Sequence, residues 1–327
     1  MRAGQKNGLM TPDLISSTSQ LDILFAALLR LKPHQNVLES KRYPIQKEPE
    51  LMSSLANSFT RLKKKLQGAS NIPPISQMPS FTRPVSQLIG ANQFFEDSFK
   101  NWACKELGWQ FGFNRKLWEY AFILNALSVH KKMGGCGLGF GVGRDPIVSV
   151  MLRHGAQLVV SDLSDEDAVA RGWDTMDFNQ EANQPLKLLS VDMNHIPSDL
   201  RSFDFIWSCG SLEHIGGLNH GLQFIENAMA CLKPGGIAVH TTEFNLSSNE
   251  QTFDTPGLSL YRQRDIEQLA QKLRKLGHKI ELNLTRGDHP MDAIISDETS
   301  PWELNLKVAL CGYHVCSVGL IIEKGLD

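Results

Sequence analysis

Residues 137–143, GLGFGVG, decide how the rest of the chain is interpreted. They come at the end of a strand predicted over 133–138 and before a helix predicted from Asp145 to about His154. Glycine lets the main chain turn tightly and lets a ligand approach it closely, and unpaired N–H groups collect at a helix N-terminus. The segment therefore predicts a ligand-binding turn between a strand and a helix, with a plain tight turn as the alternative.

Strand and helix patterns alternate on the C-terminal side of this turn. Six further strands are predicted at 157–161, 186–191, 203–208, 237–242, 279–284 and 315–323, and helices at 115–129, 218–232 and 264–276. Such alternation predicts an α/β fold: a Rossmann-like, doubly wound, mostly parallel seven-stranded sheet with helices on both faces. Ligands of such sheets bind at the carboxyl ends of the strands.

The composition excludes several classes of protein. The 327 residues are 42% hydrophobic and 21% charged, which is ordinary for a globular protein, and the formal net charge of −2 argues against a general polyanion binder. Six cysteines without a CxxC pair favour free thiols. The first residues lack the apolar region of a signal peptide, and the longest apolar stretch, 21–31, is shorter than the roughly 20 residues of a membrane span. A cytoplasmic location is therefore expected.

Charge divides the chain into unequal parts. Residues 1–66 carry 11 Lys and Arg against 5 Asp and Glu, a net charge of +6, whereas the remainder carries −8. We expect a basic, partly helical extension at 1–66, a Pro/Ser-rich linker at 67–85 and the α/β domain at 86–327. An amphipathic helix predicted over 51–66 suits a peripheral membrane or protein contact, or packing on its own protein.

The spacing of glycines and acids narrows the ligand class. The glycines follow GxGxG from Gly139 to Gly143, whereas nicotinamide and flavin folds use GxGxxG. Asp162 ends the next predicted strand, 19 residues after Gly143, where a carboxylate can accept hydrogen bonds from two ribose hydroxyls. Asp192 ends the following strand and could face an adenine amino group. Either aspartate could instead cap a turn.

With these features the sequence resembles the class I S-adenosylmethionine (SAM)-dependent methyltransferases over about residues 114–325. The resemblance rests on GLGFGVGRDP (137–146), Asp162 in VVSDLS, Asp192 in SVDMNHIP, and the block from FDFIWSCGSLEHIGGL through LKPGG to IAVHTTEFN (203–245). It implies SAM as the cofactor and cofactor-binding roles for Gly139, Gly141, Gly143, Asp162, Asp192, Met193, Ser208 and Cys209. In one departure, Gly137 stands where the family has the acid that holds the methionine amino group.

Methyl transfer from a sulfonium is an in-line displacement that depends mainly on alignment. An oxygen or nitrogen acceptor must also lose a proton, and a nearby base assists this step. His214 is the first candidate for that base, and Glu213 could orient it or contact the acceptor. His214 could instead cap or pack under the following helix, and His240, inside a strand, is expected to be a core histidine.

Four further residues are candidates for acceptor binding: Glu243, Tyr261, Arg262 and Trp118. An arginine would suit a phosphate or carboxylate on the acceptor. Trp118 lies on the helix before the sheet and could close over the ligands, although packing against the sheet edge is at least as good an interpretation. No metal site is expected, because Cys311 and Cys316, five apart on a strand, face opposite sides.

The leading hypothesis is therefore methyl transfer from SAM to a small-molecule or glycan acceptor, with O-methylation favoured. The basic N-terminal segment resembles those of bacterial surface-polysaccharide methyltransferases. Nucleic acid is not the expected acceptor, because the Asn/Asp-Pro-Pro motif for flipped bases is replaced by Ser-Cys-Gly-Ser at 208–211. Two alternatives remain open: a catalytically inactive SAM-binding or interaction protein with the same fold, and an NAD-dependent reductase, whose Tyr-x-x-x-Lys pair occurs only at 43–47, outside the predicted domain.

Overall fold

A computed structural model describes residues 78–164, 166, 185–297 and 300–326. The predicted basic extension (1–66), its helix over 51–66 and most of the predicted linker lie outside these residues. Within the described part of the chain, no helix is long and apolar enough to cross a membrane.

The described residues form one mixed sheet. Its strands are β1 Ser86–Leu88, β2 Cys136–Phe140, β3 Gln157–Asp162, β4 Leu186–Ser190, β5 Phe203–Cys209, β6 Leu232–Asn245, β7 Lys279–Ile280, β8 Leu282–Asn283, β9 Val308–Leu310 and β10 Tyr313–Glu323. The order is β4-β3-β2-β5-β6-β10-β1-β8, with β7 and β9 also paired to β10. The five strands from β4 to β6 are mutually parallel, and β10 runs antiparallel to both β6 and β1.

Helices occupy the connections between strands. They are α1 Asp97–Lys100, which continues into a π-helical turn at Asn101–Glu106, α2 Arg115–Val129, α3 Ile147–Arg153, α4 Leu218–Ala228 and α5 Gln263–Lys275, with 3₁₀ turns at Ala91–Phe95, Leu212–His214, Met229–Cys231, Pro290–Ala293 and Trp302–Leu304. The last five residues of β5 and nearly all of β6 and β10 are buried without alternation. Such runs show that both faces of the central sheet are covered, which confirms the predicted doubly wound α/β fold.

The sheet has more strands than the seven predicted. The single strand predicted at 279–284 is divided: β7 pairs antiparallel with β10, and β8 pairs parallel with β1. Strands β1 and β9 have three residues each, too few to show a period of two in the sequence. The extra strands therefore depend on partners distant in the chain rather than on local pattern.

One predicted turn is found inside a strand. In β6, Leu232 is opposite Phe203 and Ile237 is opposite Phe205, so the four residues Lys-Pro-Gly-Gly stand against one residue of β5 and bulge out between two paired segments. Gly235 has φ +71°, a conformation that favours glycine. The turn predicted at 233–236 is thus present as a bulge that interrupts β6.

The residues before β1 contribute to the core. Phe81 is fully buried and meets Phe99, Trp118 and Phe122 edge-on, with ring centroids 5.3, 6.0 and 6.3 Å away. Edge-to-face pairs of this kind stabilise a core beyond their buried area. The domain start at residue 86 remains a prediction, but packing against α2 begins at least as early as Phe81.

Candidate functional site

The carboxyl ends of β2, β3 and β5 meet at the glycine turn. Phe140, the last residue of β2, lies opposite Ser161 of β3 on one side and Ser208 of β5 on the other. The chain then turns through Gly141 at φ +59°. A Cβ at this residue would lie 2.6 Å from Oγ of Ser211, which donates a hydrogen bond to the Gly141 carbonyl at 2.9 Å. Glycine at 141 thus allows the loop after β5 to approach the turn.

Asp162 is held against the same turn. Its Oδ2 accepts a hydrogen bond from the Gly143 N–H at 2.7 Å, and its Oδ1 accepts one from the Leu163 N–H at 2.8 Å. Burial raises the pKa of Asp162, although these two hydrogen bonds act in the opposite direction. The predicted pairing of glycine turn and strand-end acid is therefore a direct contact between Gly143 and Asp162.

Asp192 stands two residues beyond the end of the neighbouring strand β4. Its Oδ1 accepts from the Asn194 N–H at 2.8 Å, and its Oδ2 lies 2.9 Å from Nδ1 of His195. Burial alone would raise the pKa of Asp192, but the bonds from His195 and Asn194 outweigh it and lower the pKa. Asp192 is a partly exposed carboxylate that stays charged at neutral pH.

Met193 connects this loop with the glycine turn. Its side chain is 6% exposed, and its Sδ would lie 3.4 Å from a Cβ at Gly141. It also lines a cavity of about 260 Å³ between the loop after β4 and helix α4, together with Asn194, His195, His220, Gln223, Phe224 and Asn227. Met193 thus gives an apolar surface beside the turn, as expected for a residue that would contact an adenine ring.

Helix α2 brings charged residues to the carboxyl ends of β5 and β6. Asn114 caps its N-terminus, and its Oδ1 accepts hydrogen bonds from the N–H groups of Lys116 and Leu117 at 2.8 and 3.1 Å. Arg115 in the first turn forms an ion pair with Glu243 of β6. The capped first turn is thereby positioned over the end of the sheet.

Lys116, the residue after Arg115, forms a second ion pair with Glu119, which lies one helical turn further along. Nζ of Lys116 lies 3.0 Å from Oε2 of Glu119 and 3.5 Å from the carbonyl oxygen of Cys209 at the end of β5. The Ser317 hydroxyl donates to Glu119, and the Cys209 thiol lies 3.5 Å from it. Burial alone would raise the pKa of Glu119, but the charges of Lys116 and Arg115 outweigh it and lower the pKa.

Two buried glutamates lie at the end of β6. Glu213 is 3% exposed, and its Oε2 accepts a hydrogen bond from the Thr242 hydroxyl at 2.8 Å. Glu243 binds Arg115 through Oε1, while its buried Oε2 has no hydrogen-bond partner among the described residues. Burial raises the pKa of Glu243 to about 7, since the negative charge of Glu213 adds to burial and Arg115 only partly opposes it. Glu243 can therefore take up or release a proton near neutral pH.

Asp145 is another buried acid, and it lies close to the glycine turn. The residue is 8% exposed, and burial raises its pKa to about 7, against the attraction of Lys116 and a hydrogen bond with Tyr120. Its Oδ2 is buried and has no hydrogen-bond partner within the described ranges. Helix α3 begins at Ile147, two residues later than the start predicted at Asp145, so Asp145 is not its N-cap.

Three predicted acceptor-binding residues have side chains that bond to the protein itself, although the Tyr261 N–H donates to the Glu243 carbonyl at 3.0 Å. Trp118 is fully buried, donates to Gln93 and stacks on Phe122 with centroids 4.8 Å apart, because it faces the core side of α2. The Tyr261 hydroxyl donates to the Leu212 carbonyl at 3.0 Å, and Arg262 pairs with Asp265 at the start of α5. These three side chains are held by the protein itself.

The two histidines also have distinct positions. His214 lies on a 3₁₀ turn whose other two residues are buried, and its Nδ1 donates a hydrogen bond to the Gly257 carbonyl at 2.7 Å; this bond does not go to Glu213. His240 is fully buried in β6, and its Nδ1 lies 2.8 Å from Oγ of Ser208. Burial lowers the pKa of His240 to about 3, so it stays neutral. Ser208 therefore presents its hydroxyl to the core, and only its main chain lies near the turn.

Lys116, Glu119 and Asp145 were not predicted as site residues. The available signal was charge: Arg115 and Lys116 lie one helical turn before Glu119 at the start of an otherwise apolar helix, as expected for a polar patch aimed at a site. What the sequence lacked was the position of α2 over the sheet. Among the described residues, no group of three His, Cys, Asp or Glu side chains is arranged to hold a metal ion.

The residues present suit SAM. Gly141 and Gly143, at φ +59° and +52°, leave the turn open where side chains would fill it. Asp162 presents a carboxylate that a ribose would need, and Asp192 and Met193 present a charged and an apolar side chain of the kind that an adenine would need. Unpartnered oxygens of Asp145 and Glu243 are acceptors for polar ligand groups.

Comparison with known families gives a match to one domain. The family model described as "Methyltransferase domain" matches residues 113–290, more than half of the chain. This range contains α2, the glycine turn, the strand-end acids and both glutamates of the site. No curated protein matches the sequence significantly.

Solved structures show similarity of fold at low identity. The 1,6-didemethyltoxoflavin-N1-methyltransferase of Burkholderia thailandensis is 13% identical, with 88% of this chain and 93% of that chain covered and a TM-score of 0.38. A SAM-dependent methyltransferase of Clostridium acetobutylicum is 12% identical, with 83% and 99% covered and a TM-score of 0.38. One from Methanosarcina mazei is 13% identical, with 61% and 98% covered and a TM-score of 0.38. Similarity at this level does not identify an acceptor.

Proposed function

The chain belongs to the class I SAM-dependent methyltransferases, and from that membership we propose that it methylates a hydroxyl group of a small-molecule or glycan acceptor. In this proposal Gly139, Gly141 and Gly143 approach the methionine part of SAM, and Asp162 holds the ribose. Asp192 and Met193 meet the adenine, and the main chain of Ser208 and Cys209 lies near the sulfonium. Bound SAM supplies a methyl group on a good leaving group, so the protein's task is to align and deprotonate the acceptor.

The observation that carries the proposal for the acceptor is the unpartnered Oε2 of Glu243. A buried carboxylate oxygen without a hydrogen-bond donor is costly unless a ligand or a proton satisfies it. With a pKa of about 7, Glu243 is matched to accept the proton of an acceptor hydroxyl near neutral pH. Arg115 fixes its other oxygen, and Glu213 keeps its pKa high.

In the proposed step, the acceptor O–H bond breaks and its proton passes to Oε2 of Glu243. The oxygen would then bond to the methyl carbon while the bond between that carbon and the sulfonium sulfur breaks, with the thioether as the leaving group. His214 remains the competing candidate for the base, but its Nδ1 is engaged by the Gly257 carbonyl. Tyr261 and Arg262 remain candidates for the wall of the acceptor pocket.

Cofactor binding is tested by calorimetric titration of S-adenosylhomocysteine (SAH) into wild type and Asp162→Ala. We expect micromolar binding to wild type and a loss of about tenfold or more in the variant, because a charged hydrogen bond contributes roughly 1.5–3 kcal/mol. Asp199→Ala, an exposed acid, serves as the control and should bind as wild type does. Equal binding by all three proteins would contradict the role of Asp162.

The base is tested by transfer of labelled methyl from SAM to a panel of hydroxylated small molecules and sugars. In wild type we expect the rate at saturating substrates to fall about tenfold per pH unit below pH 7, as the carboxylate of Glu243 becomes protonated. Glu243→Gln should lose about 100-fold in rate with little change in SAH affinity, whereas His214→Gln should keep most of the rate. The reverse ranking would assign the base to His214, and SAH binding without turnover of any acceptor would favour an inactive binding protein.

The helix predicted over 51–66 and the cytoplasmic location remain predictions. A peripheral membrane or protein contact through that helix is compatible with the proposed activity and is not required for it.

A further inference from the structure

Position 137, where the family has an acid for the amino group of SAM, cannot carry one in this fold. Gly137 lies inside β2, and a Cβ there would overlap the ring of Phe205 and lie 3.0 Å from Leu158. An acidic side chain would have to enter the apolar core between β5 and β3, where an unpaired carboxylate is strongly disfavoured. If SAM binds at the turn, acceptors for its α-ammonium must come from another element.

The structure already holds one ammonium group at this end of the sheet. Nζ of Lys116 lies 3.0 Å from Oε2 of Glu119, 3.5 Å from the Cys209 carbonyl and 5.7 Å from the centre of the Tyr120 ring. Carboxylate, main-chain carbonyl and aromatic face are the partners that any primary ammonium prefers. The Lys116 side chain enters from solvent and is 43% exposed, so it can leave without disturbing the core.

The surroundings of this ammonium contain more acceptors than Lys116 satisfies. Oδ2 of Asp145, on the other side of the glycine turn, is buried and has no hydrogen-bond partner in the described part of the chain. The negative charge of Asp145 acts on Lys116, as does that of Glu119. Asp145 is more than nine-tenths buried, and an unsatisfied oxygen in that position indicates a missing donor.

The backbone at Gly210 keeps this space open. Gly210 has φ +62°, and a Cβ there would lie 2.5 Å from Nζ of Lys116 and 3.6 Å from Oε2 of Glu119. The chain after β5 therefore passes close to the ammonium group without placing a side chain on it. Main-chain atoms of Cys209 and Gly210 border the position on one side and Glu119 borders it on another.

We propose that Glu119, Asp145 and the Cys209 carbonyl form the subsite for the α-ammonium of SAM, and that the ammonium of Lys116 occupies this subsite until the ligand replaces it. The proposal rests on the cofactor assignment of the proposed function. In this arrangement, Glu119 of helix α2 and Asp145 after the glycine turn bind the ammonium group that the family's acid at position 137 would bind.

The test compares two ligands that differ only in the amino group: SAH and its deamino analogue, in which hydrogen replaces the α-amino group. Their dissociation constants are measured by calorimetry for wild type and Glu119→Gln. We expect wild type to prefer SAH by about tenfold or more and Glu119→Gln to reduce this preference to about threefold or less, with the deamino analogue bound as in wild type. Asp145→Asn should change the preference in the same direction.

Glu226→Gln is the matched control, since it removes a carboxylate that pairs with Lys272 on the far side of α4. It should keep the full preference for SAH. A preference unchanged in Glu119→Gln, or an equal loss for both ligands, would overturn the subsite. Failure of both ligands to bind wild type would instead overturn the cofactor assignment, and the subsite with it.

Lys116→Met tests the replacement of one ammonium by another. Without its competitor, SAH should bind at least as tightly as to wild type, and the preference over the deamino analogue should persist. A loss of tenfold or more for both ligands would show that Lys116 holds the ligand itself, which contradicts the proposal. Thermal unfolding of each variant, followed by circular dichroism, reports whether it is folded.

Discussion

Gly137 shows how packing at one residue decides which side chain a strand can carry next to a binding site. The position lies in the middle of the sheet, and its hydrogen atom faces the ring of Phe205. No side chain can be accommodated there unless β5 moves. An acid at position 137 is thus incompatible with the large aromatic residue on the neighbouring strand, and the two positions constrain each other.

Gly137→Ala should destabilise the fold by about 1–3 kcal/mol or more, because a methyl group is forced into a packed core. Urea unfolding followed by tryptophan fluorescence measures the effect. Gly257→Ala is the control: nothing lies within 4 Å of a Cβ at this residue, so the free energy of unfolding should change by less than about 1 kcal/mol. Similar values for the two variants would contradict the packing argument.

At the scale of residues, the strand-end acids were predictable and the helix residues were not. Asp162 and Glu243 could be predicted because they lie at or near the carboxyl ends of predicted strands, and the ends of parallel strands meet at one edge of the sheet. Lys116 and Glu119 reach the same edge only because α2 crosses the ends of β5 and β6, which no local pattern specifies. Trp118 shows the converse: the pattern indicated an aromatic residue near the site, but the rotation of α2 turns it into the core.

Helix α2 is the element on which the site depends most. Its bounds, Arg115–Val129, agree with the helix predicted at 115–129, because Asn114 caps it and the apolar run that follows is long. By contrast, the strand predicted at 133–138 is found at Cys136–Phe140. Its glycines gave little β-signal, and the residues before it form a turn that ends at Gly135, packed against Asp204. Capped helices are thus predicted more accurately than glycine-rich strands.

Asn114→Ala should lower the free energy of unfolding by about 1 kcal/mol, since the first turn of α2 loses its cap. It should also weaken SAH binding, because the helix that begins at this turn carries Glu119. Urea unfolding and calorimetry measure the two effects. Asn114→Asp retains an oxygen for the cap and should restore both properties; if it does not, the cap is not what positions the helix.

For the whole molecule, the buried His240 links stability to pH. Burial lowers the pKa of His240 to about 3, whereas an unfolded histidine titrates near 6.5. Between these values the unfolded chain takes up a proton that the folded protein does not. The folded state therefore loses stability as pH falls below 6.5, by up to about 1.4 kcal/mol per pH unit.

The variant His240→Asn keeps a group that can bond to Ser208 but removes this titration. The difference in unfolding free energy between wild type and variant, measured by urea unfolding at pH 7 and pH 5, should shrink by about 2 kcal/mol at the lower pH. A difference that is independent of pH would show that His240 is protonated in the folded protein. Because each comparison is made at one pH, the titration of other groups cancels.

The place of β10 in the sheet has a consequence for the newly made chain. Strand β10 lies between β6 and β1, and the Ser86 hydroxyl donates to the Ile321 carbonyl, 235 residues away. At roughly 5–20 residues per second, a ribosome needs about 10 s or longer to make the distance between them. Until β10 is made, the outer edge of β6 is uncovered and β1 lacks the strand that connects it to the rest of the sheet. The growing chain thus exposes strand edges that chaperones bind and that invite pairing between neighbouring chains on one messenger.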